Sequence, residues 1–335
     1  MKKTYPGTKA ALKRSLTGAL AGFAAFCLAA APAVIAADAA DAVTATTVSR
    51  YFLANADARC HALPDAAATA LKAGYLQARN TALRAGHSMD DLGPWLARAR
   101  AAALATPCDD PRLTSDFATA DSAYRGFIAQ SHLTLPGTRS VWSADRSFAE
   151  NDAWRLVQYQ HLADADLAFG LYGPLDHARF TVMAHFADGA QPYAARLLLR
   201  DADRVANGLI DLSPQSVSTL PPAGFTGDAP LAFMARASAT LDTVLSAAPH
   251  TNLAGFTVTG DYAGKAVPVS AVRFDFPSRS WPAIARLDPR EDMVVEFDFD
   301  DGPRYVRFEV GDFMTGLMYV SLPQPYSHAQ GPAQD

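Results

Sequence analysis

The sequence predicts an α+β protein in which a disulfide-tied helical bundle precedes an antiparallel, sandwich-like β-domain. Three observations carry that reading. Apolar residues recur at helical intervals from about Ala45 to His132, the period changes to two beyond Asn151, and Cys60 and Cys108 both fall in the helical part. Six or more strands joined by turns, without a helix between successive pairs, favour a sandwich over a parallel sheet.

The chain begins with Lys2, Lys3, Lys9, Lys13 and Arg14, followed by an Ala-rich apolar run from Leu16 to Ile35 that ends at Val34-Ile35-Ala36-Ala37. This is the pattern of a secretory signal peptide over residues 1–36, cleaved after Ala36 or Ala37. The mature protein is expected to be soluble, in the periplasm or secreted, with no transmembrane segment after cleavage. Cys27 leaves with the leader, and the bulky Phe26 before it argues against a lipid-attachment site. Cys60 and Cys108 then remain as an even pair. In an oxidising compartment they read as one disulfide, and neither a Cys-x-x-Cys nor a haem-attachment spacing competes.

Five of the 29 basic residues belong to the leader, which leaves 24 against 34 acidic residues, a formal net charge of −10. Nucleic acid and anionic lipid surfaces are disfavoured as partners.

The helices follow in order. A first short helix holds Val48, Tyr51 and Phe52 ahead of Cys60. Asp65 is read as the N-cap of a second helix carrying Leu71, Tyr75, Ala78 and Ala82, with Gly86 as its stop. Ser88 and Asp91 form a capping box for a third, which either kinks or begins at Pro94 and presents Trp95, Leu96, Ala99 and Ala103. Asp110-Pro111 opens a fourth, with the stripe Leu113, Phe117, Ala120, Tyr124, Phe127 and Ile128. The helical part is bounded at 45–132. Residues 133–151, with Pro136, Gly137 and several Ser, are read as a linker.

The β-domain is expected over 152–322, with 323–335 as a disordered tail. Strands are predicted at Trp154–Gln160, Leu167–Tyr172, Leu231–Arg236 and Val269–Phe276. Phe180 to Phe186 and Ala195 to Leu199 read as a hairpin turning at Asp188-Gly189, and Met293 to Phe299 with Arg304 to Val310 as a second one turning at Asp301-Gly302. In that second hairpin the acidic face of one strand is expected to find Arg304 and Arg307 across from it. Short helices are placed near Ala239–Ala247 and Ser280–Leu287, and Asn207–Gly227 is a surface excursion.

The run from Phe274 through Trp281-Pro282-Ala283-Ile284-Ala285-Arg286-Leu287, then Met293-Val294-Val295-Glu296-Phe297 and Val306-Arg307-Phe308-Glu309-Val310-Gly311-Asp312-Phe313, reads as strand, helix, hairpin and short helix. Over about these last fifty residues the chain resembles exported bacterial β-sandwich domains of the invasion-associated locus B type, and uncharacterised exported alphaproteobacterial proteins with the same two-part layout. The resemblance is one of pattern, and this β region lacks the cysteines common in that family. It implies a role at the cell envelope and brings no catalytic residue.

No nucleophile or phosphate-loop signature is present. His161, Asp164 and Asp166 place three ligating side chains within six residues, and His185 faces outward on a strand; these four are the candidates for a ligand or metal contact. Asp298-Phe299-Asp300-Asp301-Gly302 lacks calcium-loop spacing and reads as a turn. Trp154, Tyr159, Phe169, Tyr172 and Phe180 are read as sandwich core in preference to a groove for a glycan or apolar ligand. Arg196, Arg200, Arg304 and Arg307 are read as ion-paired in preference to an anion clamp.

The sequence calls for no cofactor and identifies no catalytic residue. The expected role is an envelope-associated binding or accessory module, with an envelope protein or a small ligand as partner. The competing reading is a periplasmic hydrolase with a dispersed His and Asp site.

Overall fold

The computed structural model describes residues 42–147, 149–245 and 267–323. The expected leader, residues 324–335 of the expected tail, and positions 246 and 247 of the expected helix lie outside them. None of the described helices is long and apolar enough to cross a membrane.

Four helices come first: α1 (Ala42–Cys60), α2 (Asp65–Arg84), α3 (Met89–Ala105) and α4 (Pro111–Ile128). Their ends follow local chemistry. Pro64 is the residue before α2, so Asp65 lies in the first turn, where its carboxylate faces the positive end of the helix. Gly86, at φ +103°, terminates α2 in a Schellman arrangement, with His87 N–H donating to the Ala82 carbonyl at 3.2 Å. Ser88 and Asp91 form the reciprocal capping box, so α3 starts upstream of Pro94 and carries it inside. Asp110 Oδ1 accepts the Arg112 and Leu113 N–H groups at the start of α4. Val48, Phe52, Leu53, Leu71, Leu113 and Phe117 fill the bundle centre. Cys60 is bonded to Cys108, tying the end of α1 to the loop that leaves α3.

Two antiparallel sheets follow. The wide one contains β1 (His132–Pro136), β2 (Val141–Asp145), β3 (Ala153–His161), β4 (Ala165–Gly173), β5 (Arg179–Phe186), β8 (Ala237–Leu245) and β9 (Val267–Phe276), in the order β1-β2-β3-β4-β5-β9-β8. The narrow one contains β6 (Ala194–Leu199), β7 (Leu231–Met234), β10 (Asp292–Phe299) and β11 (Gly302–Glu309), in the order β11-β10-β6-β7. Among the described residues two short α-helices follow, α5 (Trp281–Ile284) and α6 (Phe313–Val320).

Three expectations about strands and turns differ from the structure. Residues 133–151, read as a linker, contain β1 and β2; Leu133, Leu135, Trp142 and Ala144 are buried, but each alternation is only five residues long and Pro136-Gly137 separates the two. The segment from Ala239 is the strand β8, paired with β9 from Ala237↔Asp275 to Leu245↔Val267. The turn at Asp188-Gly189 joins no hairpin: β5 pairs with β4 and β9, whereas β6 pairs with β10 and β7, so the chain crosses there from one sheet to the other. Alternation reports the buried face of a strand and is silent about its neighbour.

The hairpin β10–β11 forms as expected; Arg307 stands 3.5 Å from Asp292 of β10, but neither of its arginines lies opposite Glu296 or Asp298. Arg307 lies opposite Val294 and Arg304 opposite Phe297, while Arg196 of β6 lies opposite Glu296 and contacts it at 2.5 Å. Arg304 reaches Asp188 at 2.8 Å, and Arg307 pairs with Asp211. The 201–230 excursion brings Leu209 and Phe225 onto the outer face of the narrow sheet, against Leu198, Val294 and Tyr305.

The bundle also contributes residues to the sandwich core. The sandwich interior, built on Phe169, Phe180, Phe297 and Phe308, also takes in Ala70 of α2, Phe127 of α4 and, from α6, Phe313 and Tyr319. The Phe127 and Tyr319 rings stand 5.1 Å apart. Asp312, fully buried before α6, accepts from Asn80 at 2.7 Å and from Arg84 at 3.1 Å. Burial holds the Asp312 carboxyl above its usual range, with the Arg84 charge opposing.

Candidate functional site

The outward face of the wide sheet carries a cleft of about 260 Å³ across β1, β2, β3 and β4. It divides the aromatic set that the sequence had assigned together to the core. Phe169 and Phe180 point into the sandwich, at 0% and 2% exposure, whereas Trp154, buried at 6% exposure, packs with Val157, Ala168 and Met183 on the other side of the sheet and borders the cleft with Tyr159 and Tyr172.

A β-bulge produces that division. Trp154 lies opposite Tyr172 and Leu156 opposite Leu171, which leaves Arg155 as an extra residue in β3. Without it, Trp154 would fall in phase with Leu156 and enter the sandwich. With it, Trp154 joins Tyr172 on the outer face, and the two rings meet edge to face at 5.2 Å.

Arg155 is fully buried, and its guanidinium donates to the carbonyls of Gly173, Ser147, Ala149 and Asn151. These bonds fix the loop that ends at Asp152 on the cleft wall. Burial lowers the Arg155 pKa, and the negative charges of Asp145 and Asp152 oppose that shift.

Asp145 and Asp152 are the carboxylates of the cleft, with Ser143, Thr134 and His132 beside them. Asp145 Oδ1 accepts from the Ser147 N–H and hydroxyl, each at 2.6 Å, and His132 Nδ1 stands 3.5 Å from it. The Tyr172 phenol is pushed above its usual range, first by burial and then by the Asp152 charge. Farther along the same face Tyr159 is followed by His161, their rings near parallel with centroids 6.4 Å apart.

The predicted ligating residues fall at the end of this face. His161 Nδ1 contacts Asp166 Oδ1 at 2.8 Å between β3 and β4, and His185 of β5 is the register partner of Asp166. The three therefore form one row across three strands. Asp164 lies in the β3–β4 turn, where its carbonyl accepts the Ala187 N–H. Among the described residues no three of His, Cys, Asp and Glu stand close enough to hold a metal ion.

The four arginines weighed as an anion clamp do not converge. Arg200 makes two bonds to Glu291, at 2.6 and 2.8 Å, and the other three have the carboxylate partners given above.

Sequence reasoning missed His132, Asp145 and Asp152 as site residues because they border or lie within the presumed linker. The signal that finds His132 and Asp145 is the short alternation Leu133/Leu135 and Trp142/Ala144, which turns the alternate polar residues outward; Asp152, in the loop before β3, has no such signal.

No family model, curated protein or solved structure matches this chain.

Proposed function

We propose that the protein is an exported, envelope-associated binding module whose ligand seats in the cleft between Trp154, Tyr159 and Tyr172. The cleft carries the reading: two aromatic rings in edge-to-face contact, with carboxylate, hydroxyl and imidazole groups around them, offer an apolar platform beside orienting polar groups. The Cys60–Cys108 bond is compatible with an oxidising compartment, and the leader pattern and the form of the last fifty residues support the envelope as destination.

The test is ligand screening of the mature protein by heteronuclear NMR. Binding that shifts the Trp154 and Tyr159 resonances supports the assignment, and ligands that shift only residues elsewhere would sink it. Mass measurement of the protein recovered from a periplasmic fraction is expected to give a chain that starts at Ala37 or Asp38.

A second reading, a hydrolase, has the His161 to Asp166 contact in its favour, since a carboxylate orienting an imidazole is two thirds of a general-base triad. Unchanged turnover of ester, peptide and glycoside panels by a His161→Ala variant would remove it.

A further inference from the structure

We infer that the cleft takes a cationic ligand, an amine or guanidinium carried on an apolar or planar body. The inference rests on the cleft being the binding site and adds the charge of what it binds.

Charge decides the class. Two carboxylates face the cleft, and no Lys or Arg lines it. Arg155 couples to both through its charge, but it is fully buried and its guanidinium donates to four backbone carbonyls, so it is not a surface that a ligand touches. Arg273, whose charge is felt by Tyr172, stands 3.5 Å from Asp275. His132, beside Asp145, is the remaining ionisable base of the lining. An anion would meet the negative charge of Asp145 and Asp152 with no Lys or Arg of the lining to offset it. A neutral ligand would strip water from both carboxylates without replacing it with charge, which is unfavourable.

A cation compensates both carboxylates. It also meets aromatic walls, whose ring faces attract positive charge and whose area accepts the apolar body. The formal net charge of −10 that remains without the leader adds a long-range field of the same sign.

Four probes separate the outcomes in calorimetric and NMR titrations of the mature protein at millimolar concentrations: benzyltrimethylammonium, benzyl alcohol, benzoate and cellobiose. The expected result is binding of benzyltrimethylammonium alone, weakening as sodium chloride is raised. Asp152→Asn is expected to lower that affinity about tenfold and Tyr159→Ala by a similar factor, while Asp188→Asn, on a remote turn, leaves it unchanged. Circular dichroism of each variant shows that the fold is retained.

Cellobiose or benzyl alcohol binding in the cleft at undiminished affinity in Asp152→Asn overturns the cationic assignment and leaves the cleft as the binding site. If none of the four probes shifts the Trp154 or Tyr159 resonances, both the assignment and the cleft reading fall.

Discussion

Glu309 ends β11 with no exposed surface, and its carboxylate accepts three successive backbone N–H groups, from Thr138, Arg139 and Ser140. A buried carboxylate is tolerated there because the turn between β1 and β2 wraps around it. Glu309→Ala strands those three donors and is expected to cost about 3 kcal/mol in chemical denaturation. Gly170 is a second such position: at φ +151° a Cβ would lie 1.9 Å from the Leu156 carbonyl oxygen, so Gly170→Ala is expected to destabilise by more than about 4 kcal/mol. A near-neutral effect in the same measurement would contradict this backbone geometry. Asp292 titrates against its surroundings. Burial raises its pKa to about 6 despite its pairing with Arg139 and the nearby Arg307. The folded state then holds the proton more tightly than the unfolded chain, so this residue's contribution to stability is present below about pH 4 and is lost as pH rises through about 6. Stability measured against pH is expected to fall across that window relative to Asp292→Asn, and a difference that is flat or rises would refute the sign.

Elements differ in how legible they were. The helices of the bundle were readable because each carries its own punctuation: Ser88 with Asp91, Asp110 before Pro111, and Gly86 after the last turn of α2. The β10–β11 hairpin was readable for the same reason, since Asp301-Gly302 sits between two clean alternations. What failed were decisions that depend on partners distant in sequence. Ala237–Leu245 has composition compatible with either structure and becomes a strand through pairing with β9. Arg155 gave no signal as a bulge, because the extra residue is defined by the register of β3 against β4. Without that register, Trp154 could not be assigned to the outer side of the wide sheet. The disulfide was legible from cysteine arithmetic alone. Closing a loop with a sequence separation of 48, it is expected to contribute about 4 kcal/mol in the chain-entropy account. The Cys60→Ser, Cys108→Ser double variant should lose about that much, and the native protein should titrate no free thiol.

At the scale of the whole molecule, the bundle and the sandwich are not two beads on a string. Ala70 and Phe127 belong to the sandwich interior, and Asn80 and Arg84 hold Asp312 across the junction. Thermal unfolding followed by helical ellipticity and by tryptophan fluorescence is therefore expected to give coincident transitions with a single midpoint. Two separated midpoints would show that the junction is too weak to couple the parts. The sequence left this question open, because the residues that join the parts look like ordinary members of their own helices.

The crossing at Asp188-Gly189 constrains the order in which the protein can assemble. The strand that leaves it, β6, sits between β10 and β7, so the narrow layer is stitched from segments almost a hundred positions apart. A chain folding from its N-terminal side would form β3, β4 and β5 long before the layer that shields their apolar side. Until the C-terminal hairpin arrives, most of that apolar surface lacks the layer that covers it in the folded protein, and only bundle residues such as Ala70 and Phe127 are already at hand.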